Sequence, residues 1–432
     1  MRLIDKTKKF FITEKGNIGR RLLKLTLAAP FWVILCSLIL TGTGIGRAVY
    51  LSGSRYEQRA AEIWQQGTDT SFRHMSVFAG GIRTNGERSP LMYSEGGSSI
   101  RVADLSLMRQ SLQASANTGS GGGTYREGEL RGWEDCYSST VKASVTPMKV
   151  VEGKTELGSE TDVELVAVGG NYRAFHPFRY MSGGFLPVTP VDTYQVVIND
   201  ILAWQFYRSY DVTGNMIVIG GQIFTVIGVV EAGTSKVSEL AGEQEPRAYI
   251  YFGALGSIYG NKGASAAPSD SPVDMDGGFG GGASGGGASG GSDYAIQCYE
   301  ALLPELVKGV GIADFKNALP AYSLTNPQLY VSNDTERFSI PRVVDTMLPL
   351  GETEKERMGY EFPYWERAAQ MTEQRLFYDF VITAFGILLL LIGVIMAALK
   401  IRASKAIAPE EITPAETDEK QESDEKDLML KE

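Results

Sequence analysis

Two long charge-free runs, one near each end, constrain this chain more than any other feature. Between Lys24 and Arg47 lies LTLAAPFWVILCSLILTGTGIG, and between Asp379 and Lys400 lies FVITAFGILLLLIGVIMAAL. About 20 apolar residues at a rise of ~1.5 Å are enough to cross a hydrocarbon core of ~30 Å. Each run therefore predicts a transmembrane helix, and whatever lies between them must fold on one side of a bilayer. The first run has a long basic lead-in and no small-residue cleavage pattern behind it, so it reads as an uncleaved signal-anchor. Arg20, Arg21 and Lys24 precede it, and Lys400, Arg402 and Lys405 follow the second run. Positive flanks mark the cytoplasmic side. The layout expected in a bacterial plasma membrane has both termini cytoplasmic. It comprises a basic lead over 1–24, spans over 25–46 and 376–399, an extracytoplasmic domain over 47–375 and an acidic tail over 400–432.

Composition narrows the chemistry. The net charge of −10 argues against nucleic acid, which needs clustered Lys and Arg. Two histidines (His74, His176) and three cysteines (Cys36, Cys136, Cys298) are too few and too scattered to suggest a zinc site. No metal, cofactor or catalytic residue is expected, and the chain is read as not an enzyme. His176-Pro177 reads as a packing residue in an aromatic turn, and Glu134-Asp135 beside Trp133 as solvated loop acids. Asp162 and Glu164 alternate with apolar neighbours and are placed on a solvent face. Cys136 and Cys298 both fall in the oxidising compartment, and a disulfide between them is expected, contributing about 2–4 kcal/mol; two free thiols are the alternative. Arg47 and Asp379 stand at the outer ends of the two runs. They are expected to form an ion pair, with two separately hydrated charges as the alternative.

Along the chain, Gly42, Gly44 and Gly46 offer small surfaces for close helix approach. Arg55–Gln66 has helical spacing and predicts a stalk continuing the first span. Asn117–Thr124 is a break, and Asn261–Asp293, with GGFGGGASGGGASGG at its centre, is a low-complexity stretch that cannot bury enough apolar surface to order itself. Lys142–Val151, Thr161–Val168 and Tyr294–Pro304 predict strands. In Asn171–Val230 a strand over Val196–Ile198, a short helix over Ile201–Phe206 and a hairpin of Met216–Ile219 with Ile223–Val230 about Gly220-Gly221 follow in order. Pro363 suits a first helical turn, and no breaker follows it before the second span. The fold class expected is an α+β extracytoplasmic domain of two lobes, with a mixed sheet and helices, carried between two transmembrane α-helices.

These residues carry a resemblance. YMSGGFLP followed by VVINDILAWQFYRSYDVTGNMIVIGGQIFTVIGVVEA resembles the MacB-like extracytoplasmic core domain of MacB/FtsX-type ABC transporter permeases. The matching positions are Gly184, Phe185, Phe206, Gly214, Gly221, Phe224, Val226, Ile227, Gly228 and Val229. CYEALLP and Asp334–Arg342 match more loosely. The resemblance implies an inserted lobe over about 160–258 and a noncatalytic membrane subunit. Its outer domain would bind a partner or cargo, and its helices would pass conformational change to neighbours. It also implies an ABC ATPase and a four-span permease as partners beside the lipid bilayer, in a homo- or hetero-oligomer. Such permeases follow a four-span plan, whereas this chain has two apolar runs and no Walker motif. The alternative reading is a cell-surface receptor, sensor or scaffold signalling through the acidic tail.

Overall fold

The computed structural model describes residues 29–55, 58–66, 71–94, 99–117, 132–151, 154–260, 294–305, 309–320, 329–348 and 360–406. The basic lead, the glycine-rich stretch, most of the break at 117–124 and the acidic tail lie outside them. The chain divides into two compact units, residues 1–47 with 379–432, and residues 48–378.

The smaller unit holds most of two helices, Ala29–Gly53 and Tyr364–Ala406, each long and apolar enough to cross a membrane. Within it the helices approach at glycines. A Cβ on Gly44 would collide with Thr383, one on Gly386 would lie 2.9 Å from the Thr41 amide nitrogen, and one on Gly393 would lie 2.8 Å from Ile34 Cγ1. Gly42 and Gly46 face open space instead. Arg47 Nε stands 3.1 Å from Asp379 Oδ1, an ion-pair distance without the alignment of a hydrogen bond. Asp379 is fully buried there, while the Arg47 side chain is 66% exposed.

The larger unit is a mixed sheet with helices on it. Its strands are, in chain order, β1 (Phe72–Phe78), β2 (Thr84–Glu87), β3 (Ile100–Arg101), β4 (Glu134–Val151), β5 (Lys154–Leu157), β6 (Thr161–Gly170), β7 (Tyr180–Gly183), β8 (Gln195–Asn199), β9 (Met216–Ile219), β10 (Gln222–Val230), β11 (Arg247–Tyr251), β12 (Ala295–Ile296), β13 (Cys298–Pro304) and β14 (Tyr330–Asn333). The main sheet runs β14-β1-β13-β4-β6-β11-β8-β10-β7, with β9 pairing to both β10 and β4. The pairings β4-β6-β11-β8-β10-β9 therefore return to β4 and close a ring. Most neighbours in the sheet are antiparallel; β10 with β8 and β11 with β6 are parallel.

Strand β4 joins the two halves of this sheet. Glu134–Ser138 pairs with β13, Cys136–Val145 with β6, and Val145–Met148 with β9. Alternation sorts its side chains. Val141 and Val145 share one core with Leu165, Ile198, Phe224 and Ile250. Residues of opposite parity, among them Cys136, Val168, Val197, Tyr249 and Cys298, pack in a second core with Phe175 and Trp365. Successive side chains of a strand point to opposite faces, so both faces of this sheet are buried.

Asn199 ends β8 and caps the helix Asp200–Tyr207, its Oδ1 accepting from the Leu202 amide at 3.0 Å. The expected Asn171–Val230 order of strand, helix and hairpin is thus present. The stalk differs. The first helix stops at Gly53, and among the described residues of Arg55–Gln66 the α-helix is Ala60–Gln65. Arg55, just past the helix end, is buried and held by Glu243 at 2.5 Å.

Strand β10 bends at a bulge, its register against β8 shifting between Val226 and Gly228. Gly228 sits there against the backbone of Gly184, where a Cβ would collide. Gly228→Ala should lower unfolding stability by about 1–3 kcal/mol in denaturant titration. Gly184→Ala, whose Cβ would meet nothing within 4 Å, should stay within about 0.5 kcal/mol.

Candidate functional site

A row of polar side chains crosses the second core. Pairing sets Ser332 of β14 opposite Ser76 of β1, Ser76 opposite Glu300 of β13, and Glu300 opposite Cys136 of β4. All four are buried. An isolated carboxylate in such a place would be strongly disfavoured, and Glu300 is not isolated. His176 Nε2 lies 2.7 Å from its Oε2 and His74 Nε2 lies 3.1 Å from its Oε1. The Cys136 thiol donates to Oε2 at 3.4 Å, and the Ser76 hydroxyl oxygen lies 3.4 Å from Oε1. Burial alone would raise the Glu300 pKa, but the two histidines outweigh it and hold the carboxyl far below its usual range. Burial disfavours the His74 imidazolium, yet Glu300 and Asp334 more than compensate and raise its pKa. Burial, reinforced by Glu300, pushes the Cys136 thiol well up, so it stays protonated and donates.

His176 arrives by a sharp turn. Gly170 ends β6 at φ +70 with its α-carbon against Asp135 and Cys136, and the one-turn helix Tyr172–Phe175 then delivers His176. Tyr172 and Trp365 rings flank the imidazole at 4.5 and 4.8 Å between centroids.

The second cluster centres on Arg337, which is 4% exposed. Its Nη1 and Nη2 donate to the two carboxylate oxygens of Glu366 at 2.5 and 2.7 Å. Nε donates to Glu373 Oε1 at 2.6 Å, and Nη1 to Asp334 Oδ1 at 3.2 Å. The paired geometry at Glu366 uses the planar fork of the guanidinium fully. Glu366 and Glu373 lie on the helix Tyr364–Ala406, seven residues apart and on one face. Asp334 also accepts from Ser332 at 2.7 Å and from Ser76, which links this cluster to Glu300. Burial would raise the Asp334 pKa, but Arg337, His74 and the serine donors overcome it and lower it.

A cleft of about 300 Å³ opens beside these clusters, and His176, Asn199, Arg55, Arg247, Tyr364 and Trp365 are among its lining residues. Arg247 lies 3.6 Å above the Tyr364 ring and donates from Nε to Glu164 Oε2 at 2.7 Å. It also donates to the carbonyls of Gly242 and Glu243 at 2.7 and 3.1 Å. Tyr249 and Tyr364 share a hydrogen bond of 2.7 Å between their hydroxyls. These contacts position the helix; among the described residues the cleft contains no activated nucleophile beside a general base.

The sequence-predicted residues fall out as follows. Cys136 and Cys298 are both free and buried on neighbouring strands, Cys136 opposite Glu300 and Cys298 opposite Ser138. Asp162 is exposed as expected, while Glu164 is half-buried and holds Arg247. Asp135 is not a solvated loop acid. It is buried at the start of β4, accepts from Arg109 at 2.6 and 3.1 Å and from the Tyr299 hydroxyl at 3.2 Å. Cys136, His176 and Glu300 each bring a metal-ligating atom within 4.8 Å of the others. Their wide separation along the sequence hid this grouping, and only the strand register reveals it. Arg337 and its three acids were equally hidden, although Glu366 and Glu373 at a seven-residue spacing were a readable helical face.

No protein-family model matches the chain, and no curated protein matches it. Solved structures similar to it include three domains. The periplasmic region of MacB from Actinobacillus actinomycetemcomitans is 15% identical, with a TM-score of 0.32, covering 60% of this chain and 88% of that one. The extracellular domain of the noncanonic ABC-type transporter YknZ from Gram-positive bacteria is 12% identical, with a TM-score of 0.35, covering 60% and 100%. A domain of a protein described as a permease, from Porphyromonas gingivalis, is 10% identical, with a TM-score of 0.24, covering 61% and 87%.

Arg337→Met keeps the bulk but strands three acids, and should cost about 3–5 kcal/mol in chemical unfolding. Arg88→Ala removes a solvent-exposed partner of Asp162 and should cost no more than about 0.5 kcal/mol. The lowered Asp334 pKa also fixes a sign. The folded carboxyl gives up its proton more readily than the unfolded one, so its contribution is complete above the unfolded pKa of about 3.9 and is lost as pH falls through the lower folded value. Asp334→Asn should therefore flatten the stability-against-pH slope below about pH 4. Melts run between neutral pH and pH 3 check it; an unchanged acid slope in the variant contradicts it.

Proposed function

We propose that this chain is a noncatalytic, ABC-transporter-permease-like membrane subunit. Its large unit lies outside the membrane, binds a partner or cargo, and couples conformational change through two membrane helices. The observation that carries this reading is the Arg337 clamp. It fastens the large unit to a helix of 43 residues, Tyr364–Ala406, and the second apolar span belongs to that same helix. A helix without a break transmits rotation and displacement along its axis, whereas a flexible linker absorbs them. The clamp is buried and bidentate, so detaching the helix would expose one cation and strand its acids.

The resemblance of Tyr180–Ala232 to the MacB-like core domain supports the class, and the basic flanks support cytoplasmic ends. The sequence holds no phosphate-cradling Walker motif, so an ABC ATPase would supply the energy, with a four-span permease as the second partner. The test is a mild-detergent pull-down of the full chain with mass spectrometry. Co-recovery of an ABC ATPase and a four-span permease is the expected result. Recovery of the chain alone, from cells that express such proteins, counts against the reading.

A further inference from the structure

We propose that Cys136, His176 and Glu300 form a zinc-binding site beneath the cleft. One sulfur, one nitrogen and one carboxylate oxygen are donors that zinc accepts, at bond lengths of about 2.0–2.3 Å. A tetrahedral ion with such bonds holds its ligand atoms about 3.3–3.8 Å apart. The Cys136 Sγ to Glu300 Oε2 separation of 3.4 Å already lies in that range. The His176 to Glu300 contact of 2.7 Å is a hydrogen bond and would lengthen by about half an ångström as the ion replaces the proton between them.

The two oxygens of Glu300 divide their work. Cys136 and His176 address Oε2, the oxygen assigned to the ion. His74 addresses Oε1 and holds the carboxylate in orientation, as the outer partners of metal-bound carboxylates do. The rings of Tyr172 and Trp365 fix the plane of His176. Charge balances as well: a dication with one thiolate and one carboxylate is neutral, which suits so buried a site. Binding releases the Cys136 proton, and any proton on His176 Nε2, to water. Of the three ligands His176 also lines the cleft of about 300 Å³, the side from which an ion would enter. Three protein ligands leave one tetrahedral position, for a water molecule carried in with the ion.

The test uses cobalt(II) as a spectroscopic substitute on the detergent-solubilised full chain, prepared under reductant. Cys36→Ser/Cys298→Ser leaves Cys136 as the only thiol. It should bind one equivalent of cobalt with a thiolate-to-metal charge-transfer band, and zinc should bleach that band. Cys136→Ser should lose the band while Cys298→Ser keeps it. Both substitutions remove an equally buried thiol, so matching melts separate loss of a ligand from loss of the fold. His74→Gln should retain the band with affinity reduced about 10–100-fold. Absence of the band in the wild-type chain, or its persistence in Cys136→Ser, overturns the proposal.

Discussion

A guanidinium almost without solvent must be neutralised by its neighbours, and at Arg337 those neighbours come from two separate parts of the chain. Asp334 is local to it, three residues away, while Glu366 and Glu373 belong to the long C-terminal helix. Each partner is expensive to bury alone, because the attraction that repays desolvation exists only in the assembled cluster. The placement of this helix on the sheet is thereby specified by charge as well as by apolar area. Tyr364 and Trp365 add the area, and the Tyr249–Tyr364 hydrogen bond adds direction. The sheet in turn must hold β14 and β1 in register for Asp334 to reach both Arg337 and the serines.

The two buried clusters are one network. Cys136 contacts Glu300, Glu300 contacts Ser76, Ser76 contacts Asp334, and Asp334 contacts Arg337 and through it the helix. The route crosses β4, β13, β1 and the turn after β14, following the row that strand pairing imposes. Its members alternate with apolar residues of the same face, such as Phe78, Val168 and Leu302, which exclude water and strengthen each contact.

Much of the architecture is legible in the sequence because it rests on local pattern. Alternation over Lys142–Val151 and Thr161–Val168 marks β4 and β6. Asn199-Asp200 marks a helix cap, Gly220-Gly221 a hairpin, and Pro363 the start of an unbroken helix. What is not legible depends on register. Glu300 reads as one acid inside an apolar strand, and nothing nearby in sequence announces His74, Cys136 or His176, which reach it only when β1, β13, β4 and the Gly170 turn are assembled. Asp135 misleads for the same reason: beside Glu134 and Trp133 it has the look of a loop acid, until Arg109 on another element closes over it. The stalk misleads differently. Arg55–Gln66 has helical spacing, but Arg55 is instead buried against Glu243, Ser235 and Ser238, residues far from it in sequence.

The closed ring gives this arrangement a mechanical consequence. An open sheet can twist strand by strand, but β4 is bonded to β13 at one end, to β9 at the other and to β6 between, so bending it strains all three neighbours at once. Cys136, near the β13 end of that strand, and Glu366, on the helix, are joined by the polar network. A rotation of the helix within the large unit would draw Glu366 and Glu373 off Arg337, which follows the edge strand β14 outside the ring. Such a rotation would leave each of these buried charges without its partner. The buried charges act less as a source of stability than as a constraint on which motions remain open.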